Sequence, residues 1–425
     1  METHEREPTR AWVLHPDLKS DSQRRPAGYA LEEAVALAAA LPDLEVIGSE
    51  IVSLPKAQPG LLFGKGKIAE LKERLHEAEV ELVLIDGPVT PVQQRNLEKE
   101  WGVKLLDRTG LILEIFSDRA RTREGVLQVE MAALKYQRTR LVRAWTHLER
   151  QRGGLGFVGG PGETQIEADR RAIDEQLVRL RRQLDKVVKT RELHRSARAK
   201  VPFPVVALVG YTNAGKSTLF NRLTGAEVMA KDMLFATLDP TMRRVDLPDG
   251  GGEVILSDTV GFISDLPTEL VASFRATLEE VLSANLILHV RDISHPETES
   301  QCRNVLEIMD SLGVAEDTPV LEVWNKIDLL PDEDRSATQQ RAAREEDVFA
   351  ISAVTGEGIP DLMQEIGRHL SEDTHVTDVS LGFADGRKRA WLFAQDVVEA
   401  EQQTETGFDL TVRWTARQEK RFREL

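Results

Sequence analysis

The chain has 425 residues, of which 41% are hydrophobic and 30% are charged, and its formal net charge is −16 at pH 7. This length allows two to four domains with sizeable cores, and no apolar run approaches the length that would span a bilayer. Cys302 is the only cysteine, which excludes an intramolecular disulfide and any multi-cysteine metal site. The charged N-terminal residues do not resemble a signal peptide, so we expect a cytoplasmic protein without membrane insertion.

The charge is distributed unevenly along the chain. Residues 119–200 carry 20 Lys and Arg residues against 10 Asp and Glu residues, an excess of +10, which leaves the remainder at −26. This asymmetry is typical of a chain in which one segment meets a polyanion. We expect a monomer whose basic segment contacts RNA, and the acidic total gives no reason to expect DNA as a partner.

Residues 1–118 are predicted to form a small α/β domain. Apolar strand segments such as 11–14 alternate with helical segments such as 31–41, and this alternation favours a parallel sheet. Gly64-Lys65-Gly66-Lys67 precedes a predicted helix of this domain. The two lysines could contact a phosphate or nucleic acid, or they could simply be solvated; the missing Walker spacing favours solvation.

Residues 119–200 are predicted to form a basic, antiparallel helical hairpin with a glycine-rich tip. Residues spaced three, four or seven apart are apolar in two long segments, except at Arg138. The predicted seam consists of Leu127, Met131, Leu134, Leu141, Trp145, Leu148, Ile166, Ile173, Leu177, Leu180, Leu184 and Val187. Between the helices, 152–162 contains too many glycines for a helix. The charged faces are either solvated surface or an arm that contacts RNA or a protein partner, and the one-sided charge favours the arm.

Residues 201–372 are predicted to form a nucleotide-binding domain, which begins after the proline-containing segment 201–204. The apolar strand 205–209 runs into G-x-x-x-x-G-K-S and then into a helical pattern, which is the context that a phosphate-binding loop requires. The candidate loop consists of Gly210, Tyr211, Thr212, Asn213, Ala214, Gly215, Lys216 and Ser217. A purely structural turn is the alternative, and the flanking strand and helix argue against it.

These residue types suit phosphate chemistry. Gly210 and Gly215 allow successive N–H groups to point at phosphate oxygens, and the following helix adds its positive N-terminal end. Lys216 is the first predicted catalytic residue, because its ammonium group can neutralise the charge that develops on the phosphates. The Ser217 hydroxyl can ligate Mg²⁺, the expected cofactor.

Three shorter motifs follow in the order that a guanine-nucleotide site requires. Asp258-Thr259-Val260-Gly261 comes after an apolar strand, so that Asp258 can hold the hydration shell of Mg²⁺. The N–H of Gly261, the second predicted catalytic residue, can reach the γ phosphate. The residues expected at the base are Asn325, Lys326, Ile327 and Asp328 in one loop and Ser352, Ala353 and Val354 in another.

The base-contacting residues are predicted to select guanine. The Asp328 carboxylate can accept from two guanine N–H groups that adenine does not present, and such a site rejects the wrong base strongly. The stem of Lys326 can cover the base plane, and Ser352-Ala353 can offer a backbone N–H to the guanine oxygen. Each motif alone is weak evidence, but all four in order predict a GTP site rather than an ATP or dinucleotide site.

The remaining segment, residues 373–425, is predicted to be a small α+β appendage. The segments 391–400 and 408–414 are predicted to pair as strands around Thr406-Gly407. No chemical role is assigned to this segment, and packing or docking is the default interpretation.

At this point the chain resembles the GTPase superfamily that includes translation factors and, within it, the HflX-type ribosome-associated GTPases. The closer resemblance is carried by 235–241, by 258–263 and by the glycine tract in 150–156 and 160–165. It implies a P-loop GTPase domain, a three-layer α/β sandwich, with the small α/β domain and the hairpin before it and the appendage after it. It also implies binding to the large (50S) ribosomal subunit and its rRNA, splitting of stalled ribosomes, and a hairpin tip that reaches toward the peptidyl-transferase region.

The resemblance also assigns a switch segment to this chain. Its residues are Phe235, Ala236, Thr237, Leu238 and Asp239. Thr237 is expected to complete the Mg²⁺ shell, with Thr241 as the alternative. Many relatives have a glutamine directly after D-x-x-G, whereas this chain has Phe262, which cannot orient water by hydrogen bonding.

Two functional interpretations follow. The favoured one is a Mg²⁺-dependent GTPase that hydrolyses GTP slowly alone, is stimulated by the ribosome, and docks on the large subunit in its GTP form. The alternative is an RNA-binding module in which the nucleotide sets the conformation and turnover is incidental.

Overall fold

The computed structural model describes most of the chain. The described residues are 7–20, 25–151, 165–198, 203–226, 234–235, 241–248, 252–264, 281–315, 318–370, 374–395 and 397–423, with side chains except at 142–151, 165–166, 190–198, 415–417 and 420. The chain forms two compact units, one of Met1–Asp246 with Glu253–Leu362 and the other of Leu247–Gly252 with Met363–Leu425. No helix in the described part of the chain is both long and apolar enough to cross a membrane.

The first part of the larger unit contains a four-stranded parallel sheet in the order β2-β1-β3-β4. The strands are β1 (Thr9–Leu18), β2 (Leu44–Leu54), β3 (Leu82–Ile85) and β4 (Lys104–Asp107). The helices are α1 (Ala27–Ala38), α2 (Lys65–Glu77), α3 (Pro91–Trp101) and α4 (Arg108–Arg119). Asp107 caps α4 by accepting from the Gly110 N–H at 2.9 Å, so the end of β4 also begins a helix.

The Gly64-Lys65-Gly66-Lys67 segment lies at the start of α2. Lys65 is exposed, whereas Lys67 forms ion pairs with Glu70, at 2.7 Å, and with Glu50 on β2. Intramolecular pairing therefore accounts for Lys67, and solvation accounts for Lys65.

The basic hairpin consists of α5 (Arg123–Gln151) and α6 (Gln165–Arg198). Leu127, Leu134 and Leu180 are buried between the helices. Partly buried residues complete the seam, namely Met131, Ile173, Leu177, Leu184 and Val187. This packing confirms the predicted seam at these eight residues, and Leu141 is not among them. Trp145, Leu148, Ile166 and the tip at 152–164 lie outside the described side chains. Arg138, which interrupts the apolar pattern, pairs with Asp174 across the seam at 2.8 Å.

The nucleotide-binding part of the larger unit is built on a six-stranded sheet in the order β10-β9-β8-β5-β7-β6. The strands are β5 (Val205–Gly210), β6 (Thr241–Asp246), β7 (Glu253–Asp258), β8 (Leu286–Asp292), β9 (Val320–Asn325) and β10 (Val348–Ala350). The helices are α7 (Lys216–Thr224), α8 (Thr298–Leu312), α9 (Asp332–Ala342) and α10 (Ile359–Leu370). All neighbouring strands are parallel except β6 and β7, which form the predicted hairpin. The candidate motifs follow β5, β7, β9 and β10, whose carboxyl ends meet at one edge of the sheet.

The smaller unit contains an antiparallel sheet in the order β11-β13-β12. The elements are β11 (Thr374–Gly382), α11 (Gly386–Ala394), β12 (Val398–Gln403), β13 (Gly407–Thr415) and α12 (Ala416–Arg423). The predicted pairing around Thr406-Gly407 is confirmed by β12 and β13. The predicted strand start at 391 is wrong, because 391–394 belongs to α11 and buries Leu392 in the core of the unit. An apolar triplet such as Trp391-Leu392-Phe393 fits a helix or a strand equally well.

Candidate functional site

The phosphate loop joins the fully buried end of β5 to the start of α7. Gly210 and Gly215 both have positive φ, +154° and +94°. A methyl group on Gly210 would lie 2.2 Å from the Val290 carbonyl oxygen, and one on Gly215 would lie 2.2 Å from Asn325 Nδ2. Only glycine therefore fits these two positions, because both the backbone angle and the space exclude a side chain.

Lys216 is buried at the start of α7. Its ammonium group donates to the carbonyl oxygens of Gly210, at 3.0 Å, and Tyr211, at 2.8 Å. Burial lowers the pKa of Lys216 to about 8, against the opposing charge of Asp258. Phosphate oxygens beside this group would favour its charged form, which is the arrangement that catalytic charge neutralisation requires.

The D-x-x-G loop lies directly on the phosphate loop. Ser217 Oγ donates to Asp258 Oδ2 at 2.7 Å, and Thr259 Oγ1 donates to the Leu208 carbonyl oxygen at 2.6 Å. The Phe262 N–H donates to the Gly210 carbonyl oxygen at 3.1 Å, while the Thr212 N–H donates to the Phe262 carbonyl oxygen at 2.7 Å. The two loops are therefore joined by their backbones.

Phe262 does not face the reacting end of this site. Only 1% of the residue is exposed, and it belongs to the hydrophobic core with Val260 and Ile263. Its buried side chain supplies packing rather than a group that orients water.

The predicted base-contacting residues lie on two neighbouring loops. Asn325 links them, because its Nδ2 donates to the Ala214 carbonyl oxygen at 2.8 Å and its Oδ1 accepts from the Ala353 N–H at 2.9 Å. Lys326 has a positive φ of 68°, and Asp328 lies in the 3₁₀ turn Ile327–Leu329. Ser352 is buried, whereas Val354 is 67% exposed. The structure thus brings the guanine and phosphate motifs to one edge of the sheet.

The remaining switch predictions are only partly described. Phe235 is buried and has a positive φ of 57°; its ring packs on Phe116 of α4 with centroids 4.6 Å apart. Thr241 begins β6, where it pairs with Asp258. The other predicted switch residues, Ala236, Thr237, Leu238 and Asp239, lie outside the described residues.

Comparisons with known proteins cover nearly the whole chain. Family models match in sequence order: GTP-binding GTPase N-terminal at 28–117, GTP-binding GTPase Middle Region at 119–198, 50S ribosome-binding GTPase at 205–326 and HflX C-terminal domain at 337–424. A relative from Magnetococcus marinus named GTPase HflX is 51% identical over 95% of this chain and 91% of the relative. The chain belongs to the HflX family of GTPases.

A second relative agrees with this assignment. A GTPase HflX from Escherichia coli is 45% identical over 88% of this chain and 86% of the relative. The crystal structure of a GTP-binding protein from Sulfolobus solfataricus in complex with GDP covers 85% of this chain and 98% of that chain, with 22% identity and a TM-score of 0.46. The assignment rests on the sequence matches. As an HflX GTPase, the protein binds and hydrolyses GTP.

The donor set beside the phosphate loop fits Mg²⁺. Ser217 and Asp258 offer a hydroxyl and a carboxylate oxygen 2.7 Å apart, and oxygen ligands of this kind are those that Mg²⁺ prefers. A Mg²⁺ ion held there would supply neutralisation of the phosphate oxygens. Among the described residues, Ser217 would bind it directly, and Asp258 would hold its hydration shell.

Two residues of the HflX site were not found from sequence motifs. Asp292, at the end of β8, pairs with Lys326 Nζ at 2.8 Å. Arg222 of α7 donates to the carbonyl oxygens of Val354, at 3.0 Å, and Thr355, at 2.7 Å, and so fixes the second base-contacting loop. The position of Asp292 at the end of an apolar strand was the one available signal; Arg222 stands in an ordinary amphipathic helix and gives none.

Proposed function

We propose that this HflX GTPase binds the large ribosomal subunit in its GTP form and separates the subunits of stalled ribosomes. The observation that carries the proposal is the match of 205–326 to a domain described as 50S ribosome-binding GTPase. The proposed GTP site consists of the phosphate loop, the switch with Thr237 as the second Mg²⁺ ligand, the D-x-x-G loop and the two base-contacting loops. We also propose four domains, at 1–118, 119–200, 201–372 and 373–425.

The basic hairpin supports rRNA as the docking partner. On α6, the exposed basic residues are Arg170, Arg171, Arg179, Arg181, Arg182, Lys186 and Lys189. Among the described side chains of α6, only Leu180 of the seam is buried, so the basic groups lie at the surface. Neutralisation of phosphates by such groups dominates the affinity of most nucleic-acid contacts. In this proposal the hairpin is the rRNA-contacting arm, and its glycine-rich tip approaches the partner backbone closely.

Co-sedimentation with separated ribosomal subunits tests the docking step. Each subunit is mixed with the full chain and GDP, GTP or a non-hydrolysable GTP analogue, and the bound protein is measured in the pellet. We expect retention by the large subunit with the analogue and much weaker retention with GDP. Equal retention with all three nucleotides, or retention by the small subunit alone, would contradict the proposal.

Deletion of 153–162 tests the splitting step. Subunit separation is followed by light scattering of intact ribosomes with GTP, and nucleotide affinity is measured in parallel. We expect the deletion to abolish splitting while the affinities for GTP and GDP stay nearly unchanged. A deletion variant that splits ribosomes at the normal rate would rule out a role for the tip.

Multiple-turnover hydrolysis separates an enzyme from a module with incidental turnover. We expect slow hydrolysis by the isolated protein and a large stimulation by large subunits, because Phe262 is buried and no glutamine follows Gly261. A fast rate that is independent of ribosomes and unchanged in Phe262→Ala would contradict this account. Subunit binding without any stimulation would favour the RNA-binding module instead.

A further inference from the structure

A buried polar cluster joins the N-terminal sheet to the two loops of the GTP site. Glu33 of α1, whose side chain is 9% exposed, stands at its centre. Its carboxylate accepts from Tyr211 Oη and from Arg108 Nη2, each at 2.5 Å, and from Arg25 Nη1 at 2.9 Å. Burial alone would raise the pKa of Glu33, but the charges of Arg108 and Arg25 outweigh it and hold that pKa below its usual value.

Tyr211 is the second residue of the phosphate loop, and its side chain points into this cluster. Besides donating to Glu33, its hydroxyl accepts from the Ser264 N–H at 2.8 Å and lies 2.7 Å from Ser264 Oγ. Ser264 Oγ in turn accepts from Asn304 Nδ2 at 3.0 Å. Tyr211 therefore ties the phosphate loop to the residues that follow D-x-x-G.

Arg108, at the start of α4, also binds both Glu33 and Ser264. Its side chain is 6% exposed and donates to Asp86 Oδ1 at 2.6 Å, to Glu33, and to the Ser264 carbonyl oxygen at 2.9 Å. Both backbone polar groups of Ser264 are thus engaged, one by Tyr211 and one by Arg108. A buried arginine that bridges two carboxylates and a carbonyl has little freedom to follow a movement of the loop.

The loop held in this way is packed against Lys216. A methyl group on Gly261 would lie 2.8 Å from Thr212 Cγ2 and 3.1 Å from Lys216 Nζ. Thr212 Oγ1 is buried and, among the described residues, has no hydrogen-bond partner, so close packing carries a cost here. Gly261 and Lys216 Nζ therefore lie close together at the place where a γ phosphate would contact both.

We propose that Glu33 and Arg108 are positioning residues that hold the D-x-x-G loop against the phosphate loop through Tyr211 and Ser264, and thereby favour GDP over GTP. GDP can bind without moving Gly261, whereas GTP has to pull Phe262 and Ser264 away from their partners. A ligand shifts such an equilibrium only by its differential affinity for the two arrangements, so the cluster reduces GTP affinity selectively. A substitution or a partner that weakens the hydrogen bonds of Glu33 and Arg108 to Tyr211 and Ser264 would favour the GTP form.

Tyr211→Phe tests the proposal with the least disturbance, because it keeps the buried ring and removes one hydroxyl. The Kd values for GDP and for guanosine 5′-(β,γ-imido)triphosphate are measured on the full chain with Mg²⁺ by calorimetric titration. We expect the ratio of the analogue Kd to the GDP Kd to fall about fivefold to tenfold, which is the effect of one net hydrogen bond. The GDP Kd is the reference in this ratio, so a general loss of nucleotide binding leaves the ratio unchanged.

Tyr136→Phe is the matched control. Its hydroxyl also binds a carboxylate beside an arginine, but the pair is Asp107 and Arg140 rather than Glu33 and Arg108. We expect the control to leave the ratio of Kd values unchanged. Glu33→Gln should lower the ratio in the same direction as Tyr211→Phe, and the double variant should add little to either single change, because both act on one cluster.

Several outcomes would overturn the proposal. One is a folded Tyr211→Phe protein with an unchanged or raised ratio, and another is an equal weakening of both nucleotides. If Tyr136→Phe changed the ratio of Kd values by the same amount, the effect would come from a general loosening of the N-terminal part and not from the contact of Tyr211 with Glu33. If Glu33→Gln does not fold because Arg25 and Arg108 lose their partner, the comparison of the two tyrosine variants still decides.

Discussion

Asp292 holds Lys326 at the guanine end of the site. Its Oδ2 pairs with Lys326 Nζ at 2.8 Å, while its Oδ1 accepts from the Ser294 N–H and hydroxyl. Asp292→Asn keeps the shape and the contacts with Ser294 but removes the charge that fixes the lysine. We expect the Kd values for GDP and GTP to rise together, about tenfold, because the base is common to both and a charge-assisted hydrogen bond is lost.

Equilibrium titration with both nucleotides checks this prediction. Asp310→Asn on α8 is the matched control, because Asp310 is an exposed carboxylate. Unchanged affinity in Asp292→Asn would show that Lys326 needs no anchor. If the Kd changed for only one of the two nucleotides, the substitution would act at the phosphates rather than at the base.

His289 makes the stability of the GTPase part depend on pH. It lies on the central strand β8 with 2% exposure, and burial, together with the charges of Arg291 and Lys216, lowers its pKa to about 4 against the opposing charge of Glu322. The unfolded chain therefore binds a proton near pH 6.5 that the folded chain takes up only near pH 4, so stability is lost as pH falls through this interval. At pH 5 the loss relative to pH 7 is about 2 kcal/mol.

Urea unfolding at pH 7 and pH 5 checks this prediction. We expect His289→Gln to lose less stability than the unchanged protein between the two pH values. His76→Gln, at an exposed histidine of α2, should leave the pH dependence as it is. The same loss in His289→Gln as in the unchanged protein would show that other groups carry the acid sensitivity.

Local motifs predict which residues contact the nucleotide, but not which residues support them. G-x-x-x-x-G-K-S and N-K-I-D identify loops because a phosphate or a guanine requires those residue types at that spacing. Glu33 lies 178 positions before Tyr211, and no spacing rule relates them. Asn325 was expected at the base, while its bonds to Ala214 and Ala353 depend on the sheet order and appear only in the fold.

At the scale of elements, the hairpin is held by its apolar seam rather than by its ion pair. Leu180 is 6% exposed between the helices, whereas the Arg138–Asp174 pair is 39% and 42% exposed. Leu180→Ala should lower the free energy of opening the hairpin by about 2–3 kcal/mol, because it leaves a cavity. Arg138→Gln should cost less than about 1 kcal/mol, since water and salt screen an exposed pair.

Native-state hydrogen exchange of α5 and α6 amides in the full chain measures both effects, because it reports local opening as well as global unfolding. The ranking of the two variants is the decisive result. If Arg138→Gln lowered the free energy of opening the hairpin more than Leu180→Ala, the result would contradict a hydrophobic seam. The ion pair would then set the register of the two helices.

The predictability of an element from sequence follows its length and periodicity. The hairpin helices repeat their pattern over many turns, so their seam was predicted correctly. The helix α4 was missed because its run Leu111-Ile112-Leu113 fits a short buried strand as well as a helix. In the smaller unit, β11 pairs with β13 over nine positions, yet its sequence alternates too weakly to have been recognised as a strand.

For the larger unit as a whole, the N-terminal and GTP-binding parts share one hydrophobic cluster. Leu111 and Phe116 of α4 belong to it together with Val209, Phe235 and Phe262. Composition shifts along the chain predict where one part gives way to another, but not that the parts pack on a common core. Phe235 of the predicted switch and Phe262, the residue after D-x-x-G, therefore share a core with the N-terminal part that contains Glu33 and Arg108.

The charge distribution predicts which part of the molecule binds rRNA. An acidic remainder repels a polyanion while the basic hairpin attracts it, so the arm should dominate both the affinity and its salt dependence. We expect Arg179→Glu with Arg182→Glu to weaken large-subunit binding strongly at low salt and only slightly at high salt. The slope of log Kd against log salt should fall by about 2, since each lost phosphate contact contributes nearly one unit.

The control applies the same charge change elsewhere on the larger unit. Arg303→Glu with Arg344→Glu reverses two exposed arginines of the GTPase part, on α8 and just after α9. If both double variants weaken binding equally, net charge and not the arm sets the affinity. If only the arm variant responds, and its slope of log Kd against log salt falls by about 2, the hairpin supplies the electrostatic contact to rRNA.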